Sequence, residues 1–177
     1  NLSGTVEEGL LAMPRNPLHR WPTKVRHDMA NRNYMEFQHD VAEVNAPITP
    51  LFYPSEEERK VARQLRDGFD GRMVIWSLGG SAVHKVWPHY VECIERIVAE
   101  YEDVHIVLVG DDRANLMATG FKHERIHNRC VEWPIRISMS VCELADLVIG
   151  TETGLLNAAG HMDTPKIVLL SHSSQEN

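Results

Sequence analysis

Little in this sequence favours cysteine chemistry, cationic partners or a membrane. Its three cysteines, Cys93, Cys130 and Cys142, are odd in number and far apart. None stands in a Cys-x-x-Cys pair, so neither a disulfide framework nor a thiolate zinc site is indicated, and a reducing, cytoplasmic setting follows. Positive charge is in deficit: 18 Lys+Arg against 25 Asp+Glu give a formal charge of -7. That excludes generic attraction to nucleic acid or to an anionic membrane surface, and any phosphate site must be local. No apolar run approaches the ~20 residues of a membrane-spanning helix, and no basic-then-apolar signal segment opens the chain. The chain starts at Asn1, which reads as a fragment or a processed product. What remains, 177 residues at 43% hydrophobic and 24% charged, suffices for one globular domain plus an attached segment.

The attached segment comes first. Pro14, Pro17, Pro22, Pro47, Pro50 and Pro54 interrupt residues 1 to about 54, leaving room for one helix over Val25 to Val41. This stretch reads as the remnant of a preceding domain and its linker, and residues 55–177 as the domain proper. Ser55-Glu56-Glu57-Glu58 spells a capping box, with Val61, Ala62, Leu65 and Phe69 as the apolar face of a helix from about 55 to 69. After Gly71, five short apolar runs alternate with helical segments: Met73 to Ser77, Val104 to Val109, Arg125 to Asn128, Leu147 to Ile149 and Lys166 to Leu170. Such alternation predicts an α/β fold, a Rossmann-like parallel sheet with helices on both faces. The unbroken apolar character of the second and fifth runs reads as central strands buried on both sides. Pro88 suits a first helical turn, with Val91, Ile94, Ile97, Val98 and Tyr101 as the face that covers the sheet. Asp112 to Thr119, Ile135 to Ala145 and Thr153 to His161 are the other predicted helices.

In open parallel sheets ligands bind beyond the carboxyl ends of the strands, and two such loops stand out. Ser77-Leu78-Gly79-Gly80-Ser81, followed by His84 and Lys85, offers bare backbone, hydroxyl donors and a compact positive charge to an anion. The plain alternative is a tight strand-to-helix turn with a solvated lysine and a surface imidazole. Gly150-Thr151-Glu152-Thr153-Gly154-Leu155-Leu156-Asn157 would aim the amides of Thr153, Gly154 and Leu155 at a diphosphate. A carboxylate repels a diphosphate, so Glu152 should turn toward a sugar hydroxyl or other amides. The plain alternative there is that Thr151 or Thr153 caps a helix and Gly154 permits close packing. Asp111 and Asp112 are either ribose contacts or helix caps, and Asp146 a capping or loop residue. His123-Glu124-Arg125-Ile126-His127 matches His-Glu-x-x-His, but on a strand its histidines lie about 13 Å apart and cannot share a metal.

These residues resemble something known. Ser77 to Ser81 with Lys85-Val86-Trp87-Pro88, then Ile106 to Gly110, then Ala145 to Leu155, then Thr164 to Val168 are similar, in order and spacing, to the C-terminal half of glycosyltransferase family 9, the ADP-heptose:lipopolysaccharide heptosyltransferases. The resemblance covers residues 72 to 172. It implies the donor-binding half of a GT-B enzyme acting on lipopolysaccharide or a related glycan, with Ser77, Gly79, Gly80, Ser81, Lys85, Thr153, Gly154 and Leu155 at the donor diphosphate. Asp111, Glu152 and Asn157 would lie at the sugar or nucleoside. The family's Asp-Ser/Thr-Gly reads Glu152-Thr153-Gly154 here, and a frequent histidine reads Asn157.

The resemblance further implies inverting transfer without a metal and with no cofactor. The substrate is a nucleotide-diphosphate sugar, ADP-linked for preference, and the acceptor a glycan or lipid-linked molecule held by a missing N-terminal domain that also supplies the catalytic base. No catalytic residue is then expected in this chain, which alone should be inactive, and its location would be the cytoplasm or the inner face of the membrane. A closing C-terminal helix is expected beyond the fifth strand, and apolar surface left by a missing domain would favour self-association. A GT-B-type nucleotide-sugar epimerase and a non-catalytic α/β interaction module stay open as alternatives.

Overall fold

The computed structural model describes residues 22, 24, 34–45, 51–80 and 83–170. The chain divides into two units, one taking in residues up to 49 and the other residues 50–171. In the first, helix α1 (Tyr34–Val41) falls at the end of the helix predicted from Val25; positions 25–33 lie outside the described residues.

The second unit begins with an anchored turn. Helix α2 (Glu56–Arg66) starts at the predicted capping box: Ser55 Oγ accepts from the Glu58 amide at 3.2 Å and Glu58 Oε2 accepts from the Ser55 amide at 2.7 Å. Ser55→Ala leaves a first-turn amide without its acceptor and is expected to cost about 1 kcal/mol, read as a lower urea midpoint with an unchanged slope. Glu58 also receives the Arg136 guanidinium, which donates to the Tyr53 carbonyl and lies over the Phe52 ring. That hydrogen bond, with the one from the Ser55 amide, brings the Glu58 carboxyl from 4.5 down to about 2. Because the folded pKa is the lower one, this contribution is intact above 4.5 and fades as the pH falls toward 2.

Five parallel strands follow: β1 (Arg72–Ser77), β2 (Val104–Val109), β3 (Ile126–Asn128), β4 (Leu147–Thr151) and β5 (Lys166–Leu169). Their spatial order is β3-β2-β1-β4-β5. The connecting helices are α3 (Tyr90–Glu100), α4 (Asp112–Ala118), α5 (Ile135–Cys142) and α6 (Gly154–Ala159). Side chains alternate across a strand, so one sheet carries two cores. Met73, Ile75, Val107, Val109 and Val148 pack under α2, α5 and α6 through Ala62, Val141, Leu155 and Ala159. Val74, Trp76, Ile106, Leu108 and Ile149 pack under α3 and α4 through Ile94, Val98, Ala114 and Ala118. Asp146, read as a loop or cap, ties the sheet together at its base: Oδ2 accepts from the Met73 amide at 2.8 Å, and the Asp146 amide donates back to the Met73 carbonyl at 2.9 Å.

Two expectations are corrected. The fifth run is an edge strand, not a central one: among the described residues β5 pairs with β4 alone, and Ile167 and Val168, on opposite faces, are 48% and 42% exposed. An apolar run reports β propensity, whereas burial is set by neighbours, and β1 holds the centre. On α3 the covering face is Ile94 and Val98 with Tyr90, Cys93 and Ile97, while Val91 and Tyr101 are exposed. The helix begins two residues beyond Pro88 and ends at Glu100, so Val91 falls in its exposed first turn and Tyr101 lies past its end in an extended cap.

Candidate functional site

Strand order places the site. From β1 the chain steps outward to β2 and β3, then returns to β4 on the other side of β1 and continues to β5. The segment after β1 climbs to α3 on one face and the segment after β4 to α6 on the other. The two loops therefore part at the carboxyl ends of adjacent strands and leave a crevice, the topological switch point at which open α/β sheets bind ligands. These are the two loops that the sequence singles out.

Gly150 lets them lie so close. In the β1–β4 ladder it sits opposite Ser77, and a Cβ there would fall 2.7 Å from Leu156 Cδ2, 2.9 Å from Ser77 Cβ and 3.0 Å from the Ser77 carbonyl oxygen. Gly80 acts similarly from the opposite loop: its Cβ would lie 2.8 Å from Lys85 Cδ and 3.5 Å from Thr153 Cγ2. The lysine stem runs over that bare backbone, delivered by a single 3-10 turn, Val83–Lys85. Lys85 Nζ then donates to the Glu152 carbonyl at 2.9 Å, bridging the two loops across the crevice.

The crevice encloses about 600 Å³, within the range of small-molecule sites. Ser77, Gly79, Gly80 and Lys85 line it from the β1 side, Glu152, Thr153, Gly154, Leu155 and Asn157 from the β4 side, and Asp111 from the exit of β2. Ser81 and the His84 side chain lie outside the described residues, and Asp112 begins α4 away from the cavity; the other candidate site residues named here face this one cavity. Two of them also serve the fold. Thr153 caps α6, its Oγ1 accepting from the Leu156 amide at 3.4 Å, and Asp111 caps α4, its Oδ1 accepting from the Arg113 and Ala114 amides at 3.1 Å each. The close packing expected of Gly154 belongs instead to Gly150, since only Met139 Cε approaches a Gly154 Cβ, at 3.9 Å.

Sequence reasoning missed the third wall, formed by Trp133, Ile135 and Ser138. These come from the loop after β3 and the first turns of α5, and Trp133-Pro134 was the one local signal there. Trp133 is buried to 8% exposure, while Ile135 is 58% exposed. The thiols take no part in this wall. Burial pushes Cys130 up to about 11 and Cys142 up to about 12, leaving both protonated and unreactive at neutral pH.

The His-Glu-x-x-His match has the predicted turn-and-strand setting: His127 lies on β3, and His123 precedes the strand with Nδ1 accepting from the Arg125 amide. Among the described residues no group of three or more His, Cys, Asp or Glu is arranged to hold a metal ion, and no helix is long and apolar enough to cross a membrane.

No protein-family model matches the chain, and no curated protein matches it either. Solved structures do. The chain superposes on ADP-heptose LPS heptosyltransferase II from E. coli with a TM-score of 0.61 at 20% identity, over 77% of this chain and 44% of that one. It superposes on a family 9 glycosyl transferase from Veillonella parvula with a TM-score of 0.63 at 15% identity, over 81% of this chain and 45% of that one. The chain thus spans less than half the length of either structure, and what it shares with those glycosyltransferases is the α/β fold.

Proposed function

We propose that residues 55–177 form the donor half of a family 9-like, inverting and metal-independent glycosyltransferase, holding a nucleotide-diphosphate sugar in the switch-point crevice. The observation that carries this reading is the bridge from Lys85 to the Glu152 carbonyl, which puts the crevice's lysine where both loops converge. A diphosphate seated there would replace the neutral carbonyl as acceptor of Lys85, and a charge-assisted bond is the stronger one. Glu152 and Asn157, on the α6 side, then face the sugar hydroxyls, and Asp111, whose Oδ1 accepts the cap amides, faces the nucleoside. The acceptor and the general base belong to a preceding domain in this reading, so residues 1–177 alone should transfer no sugar.

Calorimetric titration with ADP, UDP and GDP tests the proposal. Saturable binding of one nucleotide, ADP for preference, is expected, and Lys85→Ala should weaken it about tenfold or more with an unchanged melting temperature. No binding by a sample with a cooperative melt sinks the donor reading and favours a non-catalytic module. Equal binding by wild type and Lys85→Ala places the nucleotide away from this crevice.

A further inference from the structure

We propose that the His105–His127 pair is a pH-sensitive latch that holds β3, and with it the Trp133-bearing wall of the crevice, against the sheet. The inference does not rest on the donor reading, because it concerns the unliganded chain.

The two rings stack at 28° with centroids 5.2 Å apart, and His105 Nδ1 lies 3.0 Å from His127 Nε2. The other nitrogen of His105, Nε2, lies 2.8 Å from the Asp70 carbonyl. A carbonyl only accepts, so Nε2 of His105 carries the proton, Nδ1 is a lone pair, and His127 Nε2–H donates to it. The pair in this geometry takes one further proton at most, on His127 Nδ1. A second would set two N–H groups and two positive charges face to face at 3.0 Å.

The surroundings oppose even the first proton. Phe69 packs edge-on against both rings, and burial, then the charges of His105 and Arg129, push His127 below its ordinary value of 6.5. The other charged groups around the pair are Arg125 at the start of β3, Arg66 of α2, which holds the Phe69 carbonyl and meets Asp146, and Asp70. The Arg72–Asp103 ion pair lies at the same end of the sheet.

What the latch holds is a short segment, tied also by Arg125 at its entry and by Asn128, whose Nδ2 donates to Asn115 Oδ1 and whose Oδ1 accepts from the Cys130 amide. β3 is an edge strand of three residues that, among the described residues, pairs only with β2. Its exit loop hangs on the Arg129 amide to the Leu108 carbonyl and the Val131 amide to the Gly110 carbonyl, each 2.9 Å. Val131 in that loop has φ 56°, a left-handed conformation that costs a β-branched residue and persists only while its neighbours impose it. Two residues on stands Trp133.

Opening removes the geometric bar on a second proton. Lowering the pH from 7.5 to 5 should then raise the opening equilibrium about thirtyfold if the closed pair accepts one proton at ordinary affinity, and about a thousandfold if it accepts none. Amide hydrogen exchange on the intact chain, corrected for the intrinsic pH dependence, reads this at Arg129 and Val131 against the β1 and β4 amides. The expected result is selective loss of protection at β3 and its exit loop, abolished in His105→Gln/His127→Gln. A change below about threefold, loosening of β1 and β4 in step, or the same pH dependence in the double variant overturns the proposal. Should the double variant not fold, imidazole nitrogen NMR on the wild type decides: two charged rings with β3 protection kept overturns it, and one proton in the closed pair upholds it.

Discussion

Gly150→Ala is expected to destabilise the domain by about 2–4 kcal/mol and to lower its melting temperature by about 10 °C. Of the three atoms the new Cβ would strike, Leu156 Cδ2 at 2.7 Å can rotate away. The Ser77 Cβ and carbonyl oxygen, at 2.9 and 3.0 Å, cannot, because Ser77 closes a strand locked between β2 and β4 along its length. Relief must come from parting β1 and β4 at their carboxyl ends, where the crevice begins. Nucleotide affinity should therefore fall by more than the stability loss alone would remove. A variant that melts within 2 °C of wild type on the scale set by domain size would show that the strands do not approach each other as described.

The second large effect belongs to Arg125. Its guanidinium donates to the carbonyls of Val98 and Tyr101, at the end of α3, and of Val104, at the start of β2. The first two are acceptors that a helix terminus leaves unpaired. Arg125→Met keeps the apolar stem and removes every donor, and should cost about 2–3 kcal/mol. Arg125→Lys places one compact charge where a planar fork spans three acceptors and should recover about half of that or less. Urea unfolding of the three proteins orders them wild type, lysine, methionine. Equal stability of wild type and methionine would mean that water serves those carbonyls as well as the guanidinium does.

What could be read in the sequence divides along physical lines. The capping box at Ser55, the β2 run and the paired loops after Ser77 and Ile149 were legible because each is a local rule: adjacent residues satisfy one another, or an apolar period matches one element. β5 misled because its four residues carry the same apolar signature as an interior strand, and only the strand order, a non-local fact, sets it at the edge. Trp133 escaped notice for the same reason. It lies far in sequence from either loop and enters the crevice through the placement of β3. The two glycines illustrate the limit sharply, since Gly150 and Gly154 are interchangeable in a string and differ only in what stands opposite them. Of the two readings Asp111 had at the outset, the cap is the one seen, with Oδ1 accepting two amides of α4, and the residue also borders the crevice.

The strand order also dictates when the crevice comes into being as the chain folds. β1 meets β2 across a connection of about thirty residues, with α3 on the way, and β2 meets β3 across a shorter one still, so three strands and two helices can assemble from near neighbours. The pairing of Ser77 with Gly150 spans about seventy residues and carries the larger loop-closure cost. The crevice is therefore the seam along which the second half of the sheet docks onto the first. A chain caught before that docking holds β1 as an open edge, with one wall of the crevice present and nothing yet facing it.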